Sequence, residues 1–235
     1  MVYTSEFPFV YLCADVAAFS MREDTGLSVL LIKRGQAPFK GRWALPGGFV
    51  DENEDAAKAA RRELKEETGL VVGRRPFEQI GAYTAPRRDP RHRVVSMSYW
   101  TLAAPDAEAL ASDDAADVQW WSLDEALSAS RRLAFDHATI LADAVASLGR
   151  RMETTTVATA LLGDEFTIAD IRGVYEAVWG RPLDPGNFQR KVLGTPGFVT
   201  DSGWRTAGGR GRPATLYHAG EGGEIWPPLS RQRDR

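Results

Sequence analysis

Residues 48–70 read GFVDENEDAAKAARRELKEETGL, and this stretch decides what the chain around it has to be. Small and apolar residues recur at Ala56, Ala59, Ala60 and Leu64 with charged residues between them, the pattern of an amphipathic helix. Gly69 closes the pattern, as glycine does just past a helix end. The spacing predicts a helix over 53–68. Within it Glu63, Glu66 and Glu67 stand at i, i+3 and i+4, so they share one face. Three carboxylates on one face repel each other unless positive charge sits among them. Hard cations such as Mg2+ or Mn2+ take carboxylate oxygens and also bridge phosphate oxygens. The face therefore reads as a metal-phosphate site. A solvated surface helix also carries Glu and Lys runs, but has no reason to keep this spacing.

The spacing extends beyond the helix. Gly48, Glu54, Arg62, Glu63, Leu64, Glu66, Glu67, Gly69 and Leu70 fit G-x5-E-x7-R-E-U-x-E-E-x-G-U, where U is apolar. Seven of these positions are fixed, which random sequence meets on the order of once in 10^9 starts at about 1 in 20 per position. Coincidence is thereby set aside. Glu54 and Arg62, eight residues apart, are placed to pair and stiffen the entry to the helix. Gly47 and Gly48 let the backbone pass close to the carboxylates, so that a main-chain carbonyl can join a coordination shell.

Working outward, 10–20 (VYLCADVAAFS) and 27–33 (LSVLLIK) read as strands around a REDTG turn. The glycine- and proline-containing segment 37–50 reads as loop around a brief strand. Further strands are expected at 79–84, 94–103 and 117–122, and helices at 123–128 and 137–150. Residues 106–116 read as an acidic loop, with Asp106, Glu108, Asp113 and Asp114 as candidates for one more acid. Strands interleaved with helices make an α/β unit with a mixed sheet. Between two strands, RRDPRHR gathers Arg87, Arg88, Asp89, Arg91 and Arg93. Arginines beside a metal site suit a second phosphate or a ribose; a solvated hairpin tip carries the same residues. Trp43 and Tyr83 are candidates to stack on an adenine.

The composition then shifts. Residues 151–160 (RMETTTVATA) lack periodicity and read as a linker, dividing the chain into 1–150 and 151–235. Segment 167–218 holds seven basic and four acidic residues and reads helix (169–179), helix (187–193), then strands at 198–200 and 214–218 around a Gly- and Arg-rich loop. Asp184 and Asn187 are helix-starting residues. Asn187, Gln189, Arg190 and Lys191 put polar and basic side chains on a short helix that suits a major groove. Arg210 and Arg212 lie on a wing that suits phosphates. A helical appendage packed on the first domain, or a dimer interface, would show the same apolar stripe, and periodicity alone leaves that open. The tail from Glu221 reads as irregular.

Bulk properties narrow the class. A net charge of -3 argues against a protein that coats nucleic acid indiscriminately. A single cysteine, Cys13, forms no internal disulfide and makes a reducing, cytoplasmic home the default. No Lys or Arg precedes the first apolar run, and Asp15 interrupts it, so neither a signal peptide nor a membrane helix is expected there.

Segment 48–70 resembles the signature of the Nudix hydrolases, which cleave nucleoside diphosphates linked to another moiety. The resemblance implies an α/β/α sandwich around a mixed sheet. By it Glu63, Glu66 and Glu67 match metal-handling positions, with Glu63 near the general base. Glu54 and Arg62 match an orienting pair, and Gly47 a backbone metal ligand. Attack of a metal-activated water on a pyrophosphate phosphorus is the implied chemistry. Gly48, Arg87, Arg88 and Arg91 are then expected to hold the nucleotide.

Residues 10–218 as a whole resemble the NrtR family, Nudix-related regulators of NAD metabolism, which join a Nudix domain to a small winged helix-turn-helix. The segments that carry this are PFKGRWALPGGFVD, RRDPRHRVVSMSYW, LAFDH, VYEAVWGRPLDPGNFQRKVL and GRGRPATLYH. The resemblance implies a homodimeric repressor that binds a double-stranded DNA operator and takes ADP-ribose or a related nucleotide as effector. Many such proteins have eroded signatures. Here the signature is intact, which keeps an active Mg2+-dependent ADP-ribose pyrophosphatase with a structural C-terminal unit as the alternative.

Overall fold

The computed structural model describes residues 6–110, 115–207 and 213–230. The chain forms two compact units. The first draws on residues through Ala18, on Val29–Thr101 and on Ala107–Ala144; the second on Phe19–Ser28, Leu102–Asp106 and the residues from Val145 onward.

A seven-stranded sheet comprises β1 (Tyr11–Arg22), β2 (Gly26–Arg34), β3 (Trp43–Ala44), β4 (Gly47–Phe49), β5 (Phe77–Tyr83), β6 (Val94–Leu102) and β7 (Ala115–Ser122). The main path runs β3-β2-β1-β6-β5, with β4 paired to β1 and β7 to β2. Neighbours β1/β4, β2/β3 and β5/β6 are antiparallel. Strands β1 and β6 run the same way, since Tyr11 bonds to Arg93 and Ala103 to Phe19. The sheet is mixed, as expected. Cys13 through Ser20 are all buried, and the near-continuous apolar run of β1 is what a central strand covered on both faces requires.

Helix α1 (Ala56–Thr68) lies against β4. It starts three residues later than the periodicity predicts, because Asp55 takes an extended conformation and caps it, accepting from the Lys58 amide at 2.8 Å. Gly69, at φ 69°, ends it in the left-handed region. Ala59, Ala60 and Leu64 are fully buried. Helices α2 (Leu123–Ser128) and α3 (His137–Thr154) complete the elements up to residue 154. The stretch expected to lack periodicity is largely helical: α3 runs on to Thr154 and a 310 turn covers Thr156–Leu161.

In the second unit, α4 (Ile168–Trp179) and α5 (Pro185–Gly194) precede a strand pair, β8 (Val199–Arg205) and β9 (Thr215–Ala219). Thr167 and Asp170 form a reciprocal capping box at the start of α4. Asp184 caps α5 through the Asn187 amide at 2.7 Å, with Pro185 in its first turn. Ile171, Val174, Tyr175, Phe188, Val192 and Phe198 form the core. Tyr175 lies edge-on to Trp179 and Phe188, and its hydroxyl donates to the Met152 carbonyl at 3.0 Å. Phe166 bridges to Tyr217, adding one residue pair beside the two strands. This is a winged helix-turn-helix. Arg210 and Arg212 of the wing, and Asp113 and Asp114, lie outside the described residues. Among the described residues no helix is long and apolar enough to cross a membrane.

Residues 221–230 of the tail hold no helix or strand, yet they are anchored. After β9 the chain crosses Gly197 so closely that a β-carbon at Gly220 would fall 2.1 Å from the Gly197 carbonyl oxygen. Beyond the crossing, the Ile225 amide donates to the Thr154 carbonyl at 2.7 Å and the Ile225 side chain is buried. Gly220→Ala is expected to destabilise this unit by about 1–3 kcal/mol, because the obstacle is backbone and not a side chain that can turn away. Urea melts of the two proteins check this; equal midpoints would show that the crossing is not tight.

Candidate functional site

Strand β4 carries the glycines between β1 and α1. Asp15 pairs with Gly47 and Ala14 with Gly48 in the ladder. The Gly47 amide donates to Glu67 Oε2 at 2.9 Å. A β-carbon at Gly48 would fall 2.2 Å from Glu63 Oε1, so only glycine lets that carboxylate rest on the strand. Two of the three signature glutamates thus meet the backbone of β4 directly.

Arg62 is the hub of the loop-helix junction. It donates to Glu54 through Nη2 at 2.6 Å and Nε at 3.2 Å, a bidentate pair, and to the Phe49 carbonyl at 3.1 Å. Its Nη1 reaches Glu63 at 2.8 Å and Glu66 at 2.9 Å. The expected Glu54–Arg62 pair is present. The expected convergence of three glutamates on one point is not: among the described residues no three acidic, histidine or thiol groups are placed to hold a metal ion. The reason is Arg62, whose guanidinium takes the role of the positive charge for Glu63 and Glu66, while Glu67 turns to the Gly47 amide.

Glu67 is not bonded to Arg62. Burial, and then the neighbouring Glu63 and Asp15 carboxylates, push it up to about 8 against the pull of the Gly47 amide and the Arg34 charge. Burial also raises Glu63, which Arg62 opposes. Ionised carboxylate oxygens are the donors that a hard divalent cation favours, and a cation that displaced the proton from Glu67 would relieve the crowding there. Glu63, Glu66 and Glu67 on one face of α1 supply such oxygens.

Behind β4 lies a buried polar network that the linear sequence does not announce. Arg88 makes a bidentate pair with Asp136 at 2.7 and 2.9 Å and reaches Asp15 at 3.4 Å. Asp15 Oδ2 also accepts from the Ser96 hydroxyl. Asp15 Oδ1 lies 3.6 Å from His137 Nε2. The other ring nitrogen of His137 accepts from the Leu45 amide at 2.9 Å, which leaves the proton on Nε2. Asp15 was visible as a charge inside an apolar strand, and Asp136 and His137 fall in the LAFDH segment; the partners they take were not visible, since these lie 48 to 92 residues away.

The arginine loop divides in function. Arg88 is buried in that network, Arg91 pairs with Asp89 at 2.7 Å and lies over the Phe49 ring, and Arg87 is exposed. A narrow cleft of about 50 Å³ runs among Asp15, Arg34, Gly47, Gly48, Arg88, Arg91 and His137. A wider one of about 540 Å³ is lined by Phe39, Ala85, Pro86, Arg87, Arg88, Phe135 and Asp136. Phe39 and Phe135 both have positive φ, 62° and 51°, and their rings meet edge to face at 4.9 Å. Such backbone is rare for bulky residues, and sequence patterns do not reveal it. Trp43 packs edge-on against Trp121, and the Tyr83 hydroxyl donates to Asp143 at 2.8 Å. His92 stacks on Tyr11 at 4.7 Å. Asp106 and Glu108 lie in the loop after β6.

On α5, Asn187, Gln189 and Arg190 are exposed, and Arg190 bonds to Asn187. Lys191 is half-buried and donates to the Pro227 carbonyl.

A glycine strand laid against a carboxylate-bearing helix, within a mixed sheet, defines a Nudix domain, here accompanied by a winged helix. Family models agree: the NUDIX domain matches residues 12–144, and the NrtR DNA-binding winged helix domain matches 158–219. The chain is 32% identical over 216 residues to the ADPR responsive transcriptional repressor NtrR of Acinetobacter baylyi, covering 91% of this chain and 83% of that one. It is 43% identical over 134 residues to an ADP-ribose pyrophosphatase of Methanocaldococcus jannaschii, covering 57% of this chain and 75% of the relative. The crystal structure of Shewanella oneidensis NrtR complexed with a 27mer DNA superposes with a TM-score of 0.78 at 30% identity, covering 93% of this chain and 99% of that one. The chain belongs to the NrtR family of Nudix-domain proteins with a winged helix.

His137 supplies a test of the buried network. Burial holds its pKa below the ordinary histidine value, outweighing the pull of Asp15. At pH above about 6.5 the ring is neutral both folded and unfolded. As pH falls below that value the unfolded chain takes up a proton that the folded chain resists, so stability declines with falling pH. Urea melts from neutral pH down to pH ~5 should show a smaller decline for His137→Gln than for the parent. Identical pH dependence in the two proteins would remove His137 from the network.

Proposed function

We propose that this protein is a DNA-binding transcriptional repressor whose Nudix domain senses ADP-ribose or a closely related nucleotide. One observation carries the reading: the same chain holds a glycine-lined carboxylate and arginine cleft and a winged helix whose α5 presents Asn187, Gln189 and Arg190 to solvent. The repressor from Acinetobacter, named as ADPR responsive, supports the effector, and the DNA complex of the Shewanella protein supports the partner. The sensor is assigned to residues 1–150 and the reader to 151–235. The working form is a cytoplasmic homodimer on a double-stranded operator in genes of NAD metabolism.

In the sensor, Glu63, Glu66 and Glu67, with the Gly47 carbonyl, would hold Mg2+ or Mn2+, which would supply positive charge to a pyrophosphate. Arg62 and Glu54 keep the β4–α1 junction in shape, as their bidentate pair indicates. Arg87, exposed beside the wider cleft, meets the nucleotide. Arg88 and Arg91, engaged with carboxylates, shape the cleft walls, and Gly48 lets the ligand approach the strand. On DNA, Asn187, Gln189 and Arg190 meet base edges and phosphates, and the phosphate contacts expected of Arg210 and Arg212 from the sequence complete the set.

Duplexes selected by the full-length chain from a randomised pool give the probe. ADP-ribose with Mg2+ is expected to shift the affinity for the selected duplex by about tenfold. A chain that selects no duplex, or whose affinity ignores ADP-ribose, would defeat the reading.

Hydrolysis is the second reading, favoured by the complete set Glu54, Arg62, Glu63, Glu66 and Glu67 and by the likeness to an ADP-ribose pyrophosphatase. Release of AMP from ADP-ribose in the same preparation tests it. Glu67→Gln should lower the rate by about 10²-fold or more; equal rates in parent and variant would mean that this site does no chemistry. Sensing and slow cleavage are compatible in one pocket.

A further inference from the structure

The tail and the DNA-facing helix are joined. Past Ile225 the chain runs over the start of α5: the Leu229 amide donates to the Glu153 carbonyl at 2.8 Å, and Arg181 donates to the Ser230 carbonyl at 2.8 Å. Thr156 holds the upstream end, donating from its hydroxyl to the Gly222 carbonyl at 2.6 Å and from its amide to Gly223 at 3.3 Å. Glu224 bridges to Thr155. The segment is thus fixed at both ends, and in its middle the Pro227 carbonyl takes the Lys191 ammonium of α5.

Lys191 and Asn187 stand at i and i+4, on one face of α5. Both line the cavity of about 530 Å³ that separates α5 from Pro227, Pro228 and Leu229. Gln189 and Arg190 are exposed on other faces. The polar residues of α5, read together as a DNA surface from the sequence, are therefore not equivalent: Asn187, Gln189 and Arg190 are exposed, and Lys191 is half-buried against the tail. Burial also lowers the Lys191 pKa from its ordinary value.

We propose that Lys191 serves DNA binding as a positioning residue, not as a phosphate contact: it anchors the strap Ile225–Ser230 to α5, and the strap sets how α5 is presented to a duplex. This rests on the assignment of α5 as the DNA-facing helix. The Lys191 ammonium satisfies a backbone carbonyl, which any donor of similar reach at that position can also satisfy. A phosphate contact instead adds to the counterions released on binding and steepens the salt dependence by about one unit per charge.

The experiment measures affinity of the full-length chain for its selected duplex between about 50 and 200 mM salt. The variants are Lys191→Gln, Lys191→Arg, a strap variant carrying Pro227→Gly with Pro228→Gly, and Lys191→Gln combined with the strap changes. Glycines loosen the strap without removing any charge. Lys191→Gln and the strap variant are each expected to weaken binding by about tenfold with the salt slope unchanged. Their combination should be no weaker than either, and Lys191→Arg should bind like the parent. Hydrogen exchange at the α5 amides should quicken in the two weakened proteins and not in Lys191→Arg, which separates a loosened helix from a lost charge. A slope shallower by about one unit in Lys191→Gln overturns the proposal, as does a strap variant that binds like the parent or losses that add. If the parent chain selects no duplex at all, the DNA reading itself falls, which is a different result from any of these.

Discussion

The first site depends on how closely strand β4 approaches helix α1. Gly47 and Gly48 have no side chains, so Glu67 and Glu63 reach the strand backbone. Every other feature of the cleft is arranged around that approach. The ladder to β1 sets the depth of the glycines, and the Asp55 cap and Gly69 stop set the length of the helix that faces them. Arg62 joins the loop, the helix and the end of β4 in one guanidinium. A charge that touches three carboxylates and a carbonyl cannot be replaced by lysine, whose ammonium has no planar fork.

The electrostatics of the cleft are layered. On one side, acids crowd together and at least one is pushed toward its protonated form. On the other, Arg88 is sunk among Asp15, Asp136 and Cys13 and its charge is spent internally. A buried charge of this kind is tolerated because its counter-charges are present; removing the Arg88 guanidinium would leave the Asp15 carboxylate buried without its cation. The arginine cluster so conspicuous in the sequence is therefore partly a scaffold. Only Arg87 stands in the open beside the wider cleft.

What was legible in the sequence was what is encoded locally. The α1 pattern, its glycine stop, the strand runs and the Asp184 start of α5 act over a few positions, and they read true to within a few residues. The structure departs from the reading where the deciding contact is distant. Residues 151–160 look aperiodic because four threonines interrupt them, yet Tyr175 and the tail hold the end of α3 in place. Lys191 reads as one more basic residue on a short helix, and its partner lies 36 positions later. The Asp15–Arg88 contact spans 73 positions, and the positive-φ phenylalanines have no signature at all. The three glutamates share a helix face as their spacing requires; the partners they choose there depend on Arg62 geometry that spacing does not specify.

The burial of Cys13 has a practical side. Its thiol sits beside Asp15 in the central strand, and desolvation followed by that carboxylate pushes it up to about 12. Thiolate is the reactive species, so at neutral pH the native fold is close to inert toward alkylating probes. A cysteine introduced at an exposed position such as Gln189 would be the single addressable handle on the molecule, allowing a dye or spin label to report on α5 without first rebuilding the core.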